Sequence, residues 1–171
     1  HLPVLIVRSH PKEDGPFRTM ACHHPASAAA IGATLKQLHW SKETDGTVIG
    51  VAESMLAGPL PSWLEKRVRD PDTAAIAQAW QAEHDDEVHV LSGKLEAFQT
   101  ILPQCFHGKP PIIVEGNPGD RILEQAKKDH TDLITIGRTP TDKLSRWLLG
   151  STSEAVLSHA TASVLVVPVE K

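Results

Sequence analysis

The stretch Asp132-Leu-Ile-Thr-Ile-Gly137-Arg-Thr-Pro140 decides the predicted fold of this chain. Leu133, Ile134 and Ile136 form an apolar run of strand length that has no helical periodicity. Gly137 ends the run, and a glycine at this point is typical of a backbone turn that leaves a sheet. The stretch therefore predicts a buried strand followed by a polar loop.

A second stretch, Gly150-Ser151-Thr152-Ser153-Glu154, follows after nine intervening residues. Ser151 with Glu154 three residues later is a capping box, which predicts a helix that starts at Ser151. A strand end and a helix N-terminus that meet at one place can surround an anion with backbone N–H groups. The two stretches together predict a candidate anion site.

The remainder of the chain alternates between short apolar runs and helical patterns. Asp45-Gly46 is predicted to turn the chain before the second parallel strand, and Pro25 is predicted at the first position of the helix before it. That helix has the apolar face Ala28, Ile31, Leu35 and Leu38. The strands are predicted at residues 17–22, 47–52, 112–115, 132–137 and 163–169, and the later helices at residues 70–102, from Asn117-Pro118 onward, and at 151–160.

This alternation predicts a five-stranded parallel open sheet with helices on both faces, a Rossmann-type three-layer sandwich. An additional apolar run, Pro3-Val-Leu-Ile-Val-Arg8, resembles Ser163-Val-Leu-Val-Val-Pro168. We predict that residues 2–8 pair antiparallel with the last strand, residues 163–169, as an extra edge strand, because exposed edges favour such cover. The expected organisation is an edge strand and linker at residues 1–13 and one domain at residues 14–171.

The composition excludes several classes of function. A formal net charge of -4 and a pI near 6.2 argue against a dedicated nucleic-acid binder. No apolar run reaches the length of a membrane span, so no membrane partner is expected. The two cysteines cannot build a disulfide framework, which favours a reducing, cytoplasmic location.

Residues 111–169 resemble the second half of a universal stress protein domain, through the stretch around Gly116-Asn-Pro-Gly119 and the two stretches quoted above. The resemblance is weaker over residues 17–57. It implies an adenine-nucleotide alpha-hydrolase-like fold, and a homodimer or a tandem stress-protein domain as the partner. Residues 2–8 then look like the last strand of a preceding copy.

In the ATP-binding members of that family, the resemblance implies a Gly-x-x-Gly, nine residues, Gly-Ser/Thr pattern and an Asp at the end of the first strand. Gly137 and Gly150-Ser151 match the pattern, Thr152 would follow with one more N–H group, and Val51 would contact an adenine. Arg138, Lys143 and Arg146 could supply positive charge.

Two departures stand against nucleotide binding. Pro140 occupies the place of the second glycine and has no N–H group to donate, and no Asp occurs at residues 17–27. Glu154 would also repel a phosphate at the start of the helix. The first hypothesis is therefore a non-catalytic stress-response module with a degenerate nucleotide site. The alternative is an ATP- or ADP-binding member, and slow ATP hydrolysis is expected only under that alternative.

Cys22-His23-His24 carries side chains that bind zinc. Three consecutive ligands without a distant fourth match known zinc spacings poorly, so no metal is expected. A metal or thiol sensor at this cluster stays a third and distant hypothesis.

Overall fold

The computed structural model describes residues 2–8, 15–52, 71–138 and 150–169. Its elements alternate between strands and helices from residue 18 onward, as the sequence predicts. The strands are β1 (Val4–Ile6), β2 (Arg18–Cys22), β3 (Asp45–Ala52), β4 (Ile112–Glu115), β5 (Leu133–Arg138) and β6 (Ser163–Pro168). The helices are α1 (Ala28–Lys36), α2 (Pro71–Thr100), α3 (Pro118–Lys128) and α4 (Ser151–His159), with a short 3-10 helix at Gln104–Phe106.

The strands form one sheet in the order β1-β6-β5-β2-β3-β4. Strands β2 to β6 pair in parallel, which confirms the predicted five-stranded parallel sheet. Strand β2 lies in the middle and pairs with β3 on one side and with β5 on the other. The chain therefore runs outward from β2 in both directions, and the crevice between β2 and β5 is the place where such sheets bind ligands.

Strand β1 is the predicted extra edge strand. It pairs antiparallel with β6, with Val4 opposite Val166 and Ile6 opposite Val164, which confirms the prediction. Just beyond it, the N–H group of Arg8 donates a hydrogen bond to Ser163 Oγ at 3.1 Å. The edge of β6 is therefore closed by the chain's own N-terminal segment.

Apolar side chains of the sheet are buried on both faces. Met20 of β2 packs with Ile134, Val156 and Val164 on the face that α3 and α4 cover. Ala21, the next residue, points to the opposite face and belongs to the cluster that α1 and α2 cover, which includes Ile31, Leu35, Leu95, Phe98 and Phe106. This alternation along one strand is the reason that helices are needed on both faces.

Helix α1 begins later than predicted. Pro25 lies in a turn rather than at the first helical position, because the N–H groups of Ser27 and Ala28 both donate to the carbonyl of His24, at 2.9 and 3.0 Å. The helix starts at Ala28 once that turn is closed. Leu38, predicted on its apolar face, lies beyond the helix and is 42% exposed.

The predicted turn at Asp45-Gly46 is also wrong. Both residues belong to β3, and Gly46 lies opposite Thr19 of β2. The turn precedes them, at Lys42 and Glu43. A Cβ atom on Gly46 would lie 2.7 Å from the ring of Phe106, so the glycine is needed for close packing and not for a turn.

Gly137 was expected to turn the chain off the sheet, and the structure corrects this expectation. It is part of β5 and lies opposite Val167 of β6. A Cβ atom at this position would lie 2.1 Å from both Cβ and Oγ of Ser27, which is fully buried ahead of α1. The absence of a side chain therefore allows α1 to approach the end of β5.

We predict that Gly137→Ala lowers the free energy of unfolding by about 1–3 kcal/mol, because the added methyl group overpacks a closed contact. Chemical denaturation measures this loss. In the background of Ser27→Gly, which removes both clashing atoms, the same substitution should cost much less. Equal losses in the two backgrounds would contradict the assigned contact.

Candidate functional site

A cavity of about 330 Å³ opens at the carboxyl ends of β2, β3 and β5. It lies at the predicted crevice beside β2, and the N-termini of α3 and α4 close its far side. Its volume is at the lower end of the range for small-molecule sites. The residues that line it are Cys22, His23, His24, Ile49, Val51, Pro118, Ile122, Ile136, Gly137, Gly150, Ser151, Thr152 and Ser153.

Lys143 and Arg146 lie outside the described residues, and five of the six other candidate binding residues named from the sequence line this one cavity: Val51, Gly137, Gly150, Ser151 and Thr152. The structure therefore brings together residues that lie up to about a hundred positions apart in the chain. Arg138 ends β5 opposite Pro168 and is not among the lining residues. The binding role of all six stays a prediction.

The start of α4 forms the polar wall of the cavity. The predicted capping box is wrong, because Gly150 is the N-cap and Ser151 already lies inside the helix. The N–H group of Glu154 donates to the carbonyl of Gly150 at 2.9 Å, and among the described residues no side-chain hydrogen bond caps this end. With an extended glycine as the cap, the side chain of Ser151 cannot accept the bond that a capping box requires.

Ser153 fixes this wall against the sheet. Its hydroxyl donates a hydrogen bond to the carbonyl of Gly137 at 3.0 Å, and its side chain is buried. The first turn of α4 is thereby held beside the end of β5, with its uncapped N–H groups at the cavity. Such a turn attracts a negative charge through its amide dipoles.

The second helix N-terminus is built as the sequence predicts. Asn117 caps α3, and its side-chain oxygen accepts a hydrogen bond from the N–H group of Asp120 at 3.2 Å. Pro118 occupies the first turn and lines the cavity together with Ile122. Asn117 satisfies one N–H group of this helix end and Pro118 has none to donate, so α3 presents mainly the apolar side chains of Pro118 and Ile122 to the cavity.

The end of β2 supplies the third wall, formed by Cys22, His23 and His24. Complete burial raises the pKa of the Cys22 thiol from 9.0 to about 12, so the thiol is neutral at pH 7. Burial lowers the pKa of His23 below 6.5, and the charges of His24 and Lys94 lower it further. The ring of His23 packs against that of Phe98 of α2, with 5.3 Å between ring centroids.

His24 is more exposed, and its Nδ1 accepts a hydrogen bond from the N–H group of Ala26 at 3.3 Å. The end of β2 therefore presents a buried thiol and two imidazoles to the cavity. No lining residue in the described ranges is a carboxylate, a lysine or an arginine. Among the described lining residues, the polar groups that could attract a ligand are imidazole, hydroxyl and backbone N–H groups.

Several features named from the sequence lie outside the described residues. Pro140, Lys143 and Arg146 all belong to the segment 139–149. Within the ranges that the structure describes, no group of three or more His, Cys, Asp or Glu side chains is arranged to hold a metal ion. In the same ranges, no helix is both long enough and apolar enough to span a bilayer.

A family model described as the universal stress protein family matches residues 26–168, which include both helix N-termini and every parallel strand except β2. This chain belongs to the universal stress protein family. A curated relative, universal stress protein Slr1101 of Synechocystis sp., is 31% identical over 91 residues, which are 53% of this chain and 81% of the relative.

Solved structures support the same fold. The hypothetical protein MJ0577 superposes with a TM-score of 0.65 at 19% identity and covers 91% of this universal stress protein and 97% of its own chain. A universal stress protein in complex with cAMP has a TM-score of 0.52 at 14% identity, over 92% of this chain and 100% of its own. PA1789 of Pseudomonas aeruginosa PAO1 has a TM-score of 0.61 at 18% identity. The matched region covers 97% of this chain and 52% of PA1789.

Sequence reasoning did not identify two parts of the site. Ser153 stands beside Ser151 and Thr152 in the quoted stretch, and its hydroxyl proves to be the one that joins α4 to β5. Pro118 and Ile122 belong to α3, and their position at the cavity follows only from the packing of α3 against α4. The role of Ser153 could have been found from its position on the buried side of α4. The position of Pro118 and Ile122 at the cavity required the tertiary structure.

We predict that Cys22 resists alkylation in the folded protein. With a pKa of about 12, the thiolate is a fraction on the order of 10⁻⁴ of the total at pH 8, and the thiolate is the reactive form. Iodoacetamide followed by peptide mass spectrometry should label the partly exposed Cys105 well before Cys22. Denaturant should remove the difference, and equal labelling of the two cysteines in the native state would contradict this picture of the β2 wall.

Proposed function

We propose that this universal stress protein is a non-catalytic stress-response module with a degenerate adenine-nucleotide site. The observation that carries the proposal is the composition of the β2 wall. Cys22, His23 and His24 stand where the ATP-binding members of the family are expected to carry an acid. A neutral thiol and a neutral imidazole cannot accept charge-assisted hydrogen bonds from a ribose or a base as a carboxylate does.

The remainder of the cavity supports an origin in a nucleotide site. Within the described residues, no side chain caps the first turn of α4, and Ile49, Val51 and Ile136 provide an apolar wall for a flat ring. A site that keeps the backbone N–H groups of α4 but lacks the carboxylate at the end of β2 binds a nucleotide weakly. Burial keeps the Cys22 thiol protonated, and a protonated thiol is a poor nucleophile, which supports a role without catalysis by this cysteine.

The second candidate is an ATP- or ADP-binding protein, which the grouping of Val51, Gly137, Gly150, Ser151 and Thr152 around one cavity favours. The complex of a similarly folded universal stress protein with cAMP is in keeping with that reading. Under either candidate, we propose a cytoplasmic protein that works beside another domain of its own family, as a homodimer or in tandem.

We predict that no adenine nucleotide copurifies with the protein and that ATP, ADP and AMP bind with dissociation constants above about 1 mM. Chromatography of a denatured extract and isothermal titration calorimetry measure the two quantities. The Gly150→Val variant serves as the control, because a side chain on the cap of α4 obstructs the cradle. Micromolar binding that Gly150→Val abolishes would reject the degenerate site in favour of the second candidate.

A gain-of-function variant tests the reason for weak binding. His24→Asp should tighten ATP binding by about tenfold or more, because a hydrogen bond to a charged group contributes about 1.5–3 kcal/mol. His24 is exposed, and an Asp can accept the same bond from Ala26, so the fold should tolerate the change. The neutral His24→Asn variant is the matched control, and equal affinities for the two variants would show that the missing acid does not limit binding.

A further inference from the structure

We propose that His23 makes the cavity an acid-dependent site for a tetrahedral oxyanion, a phosphate or a sulfate group. The protonated ring supplies a positive charge that the described lining residues lack at neutral pH. The proposal rests on the proposed function, because it states under which condition the weak site of this module holds an anion.

His23 is fixed between the cavity and α2. Its N–H group donates to the carbonyl of Ile49 at 2.8 Å, which continues the pairing of β2 with β3 by one residue. Its ring packs against that of Phe98, and the residue also lines the cavity. A charge that forms on this ring therefore forms at the wall of an existing cavity, at a position that the backbone and α2 hold in place.

A second wall of the same cavity offers hydrogen-bond donors to an oxyanion. Ser151 and Thr152 line it at the first turn of α4, and Ser153 holds that turn beside Gly137. Hydroxyl and N–H donors can surround an oxyanion, but they carry no net charge. The cavity therefore combines neutral donors with one ring that can gain a full positive charge.

The groups around His23 keep its ring neutral at pH 7. Burial lowers the pKa of His23 below 6.5, and the charges of His24 and of Lys94 on α2 lower it further. Strand β3 contributes apolar side chains to the cavity. Asp120 and Glu154, in the first turns of α3 and α4, are exposed and do not line it. Among the described lining residues, no carboxylate competes with an anion for the protonated ring.

Proton binding and anion binding at this cavity are coupled. An anion beside the ring favours the imidazolium form, so it raises the pKa of His23, and by reciprocity a proton on His23 tightens the binding of the anion. The affinity is therefore low above pH 6.5, where the ring is neutral, and rises as the pH falls through the pKa of His23. The site takes up an anion in acid and releases it at neutral pH.

The stability of the fold should respond in a way that packing alone does not explain. Because the pKa of His23 is lower in the folded protein than in the unfolded chain, the unfolded chain binds the proton better. The free energy of unfolding should therefore decrease as the pH falls below 6.5, and an anion that pairs with the ring should offset this loss. If His23 only packed against Phe98, the loss would not respond to the anion.

Sulfate is the probe for the test, because its charge does not change over the pH range used. We expect its affinity to rise about tenfold or more from about pH 8 to about pH 5.5, because a hydrogen bond from a charged donor is stronger than one from a neutral donor. Nuclear magnetic resonance of the imidazole nitrogens, at constant ionic strength, follows the protonation of His23 itself. Sulfate should move that titration to higher pH, and the exposed His39, between α1 and β3, provides an internal reference.

Three variants separate charge from packing. His23→Gln keeps a polar side chain that cannot be protonated, so the rise in sulfate affinity should disappear. Lys94→Gln leaves the cavity lining unchanged and removes a charge that opposes protonation, so the rise should begin at a higher pH. Lys36→Gln, in the last turn of α1, is the matched control and should keep the original pH profile. If His23→Gln does not fold, the titration of the unmodified protein decides.

Inorganic phosphate and AMP, compared at about pH 5.5, distinguish the two sources of the oxyanion. Tighter binding of AMP identifies a nucleotide, and equal binding identifies the free anion; both results support the acid-dependent site. A sulfate affinity that is the same at both pH values, or a rise that persists in His23→Gln, would overturn the proposal. Micromolar binding of ATP at about pH 8 would instead reject the degenerate nucleotide site, so the two failures are distinguishable.

Discussion

The parallel pairing of β2 with β3 on one side and β5 on the other is the constraint on which the remainder of the structure depends. It places Thr19 opposite both Gly46 and Leu133, so residues that are distant in sequence lie side by side across three adjacent strands. Both faces of the central strand are then apolar, and helices must cover both. The same pairing leaves a crevice at the carboxyl ends, because the helices that follow β2 and β5 along the chain, α1 and α4, pack on opposite faces of the sheet.

The cavity at that crevice is largely maintained by interactions that serve the fold. Gly137 lacks a side chain because Ser27 lies against it, and Ser153 is directed toward the carbonyl of Gly137. Both features would be retained by selection for stability alone. A matching pattern of glycines and serines is therefore good evidence for the family and weaker evidence for a ligand, and the wall at Cys22, His23 and His24 is more informative about binding.

The parallel strands, the edge strand and its antiparallel pairing were predicted from the sequence, because short β-branched runs between turn residues rarely form anything other than strands. It also predicted the start of α3, where Asn117 and Pro118 act locally. Two of the errors share one cause. Gly46 and Gly137 were interpreted as turns, although each is a glycine because a distant side chain, Phe106 or Ser27, comes close to its backbone. Such contacts cannot be inferred from neighbouring residues.

The hydrogen bond from Ser153 to Gly137 also has an evolutionary consequence. It joins the residues on either side of the segment 138–152, so β5 and α4 are held together by a direct contact as well as by the chain between them. The entropy of closing a loop whose ends are already joined grows only slowly with its length. Insertions and substitutions in that segment, including the proline at position 140, could therefore accumulate with little loss of stability, and ligand specificity could change within the lineage while the fold was preserved.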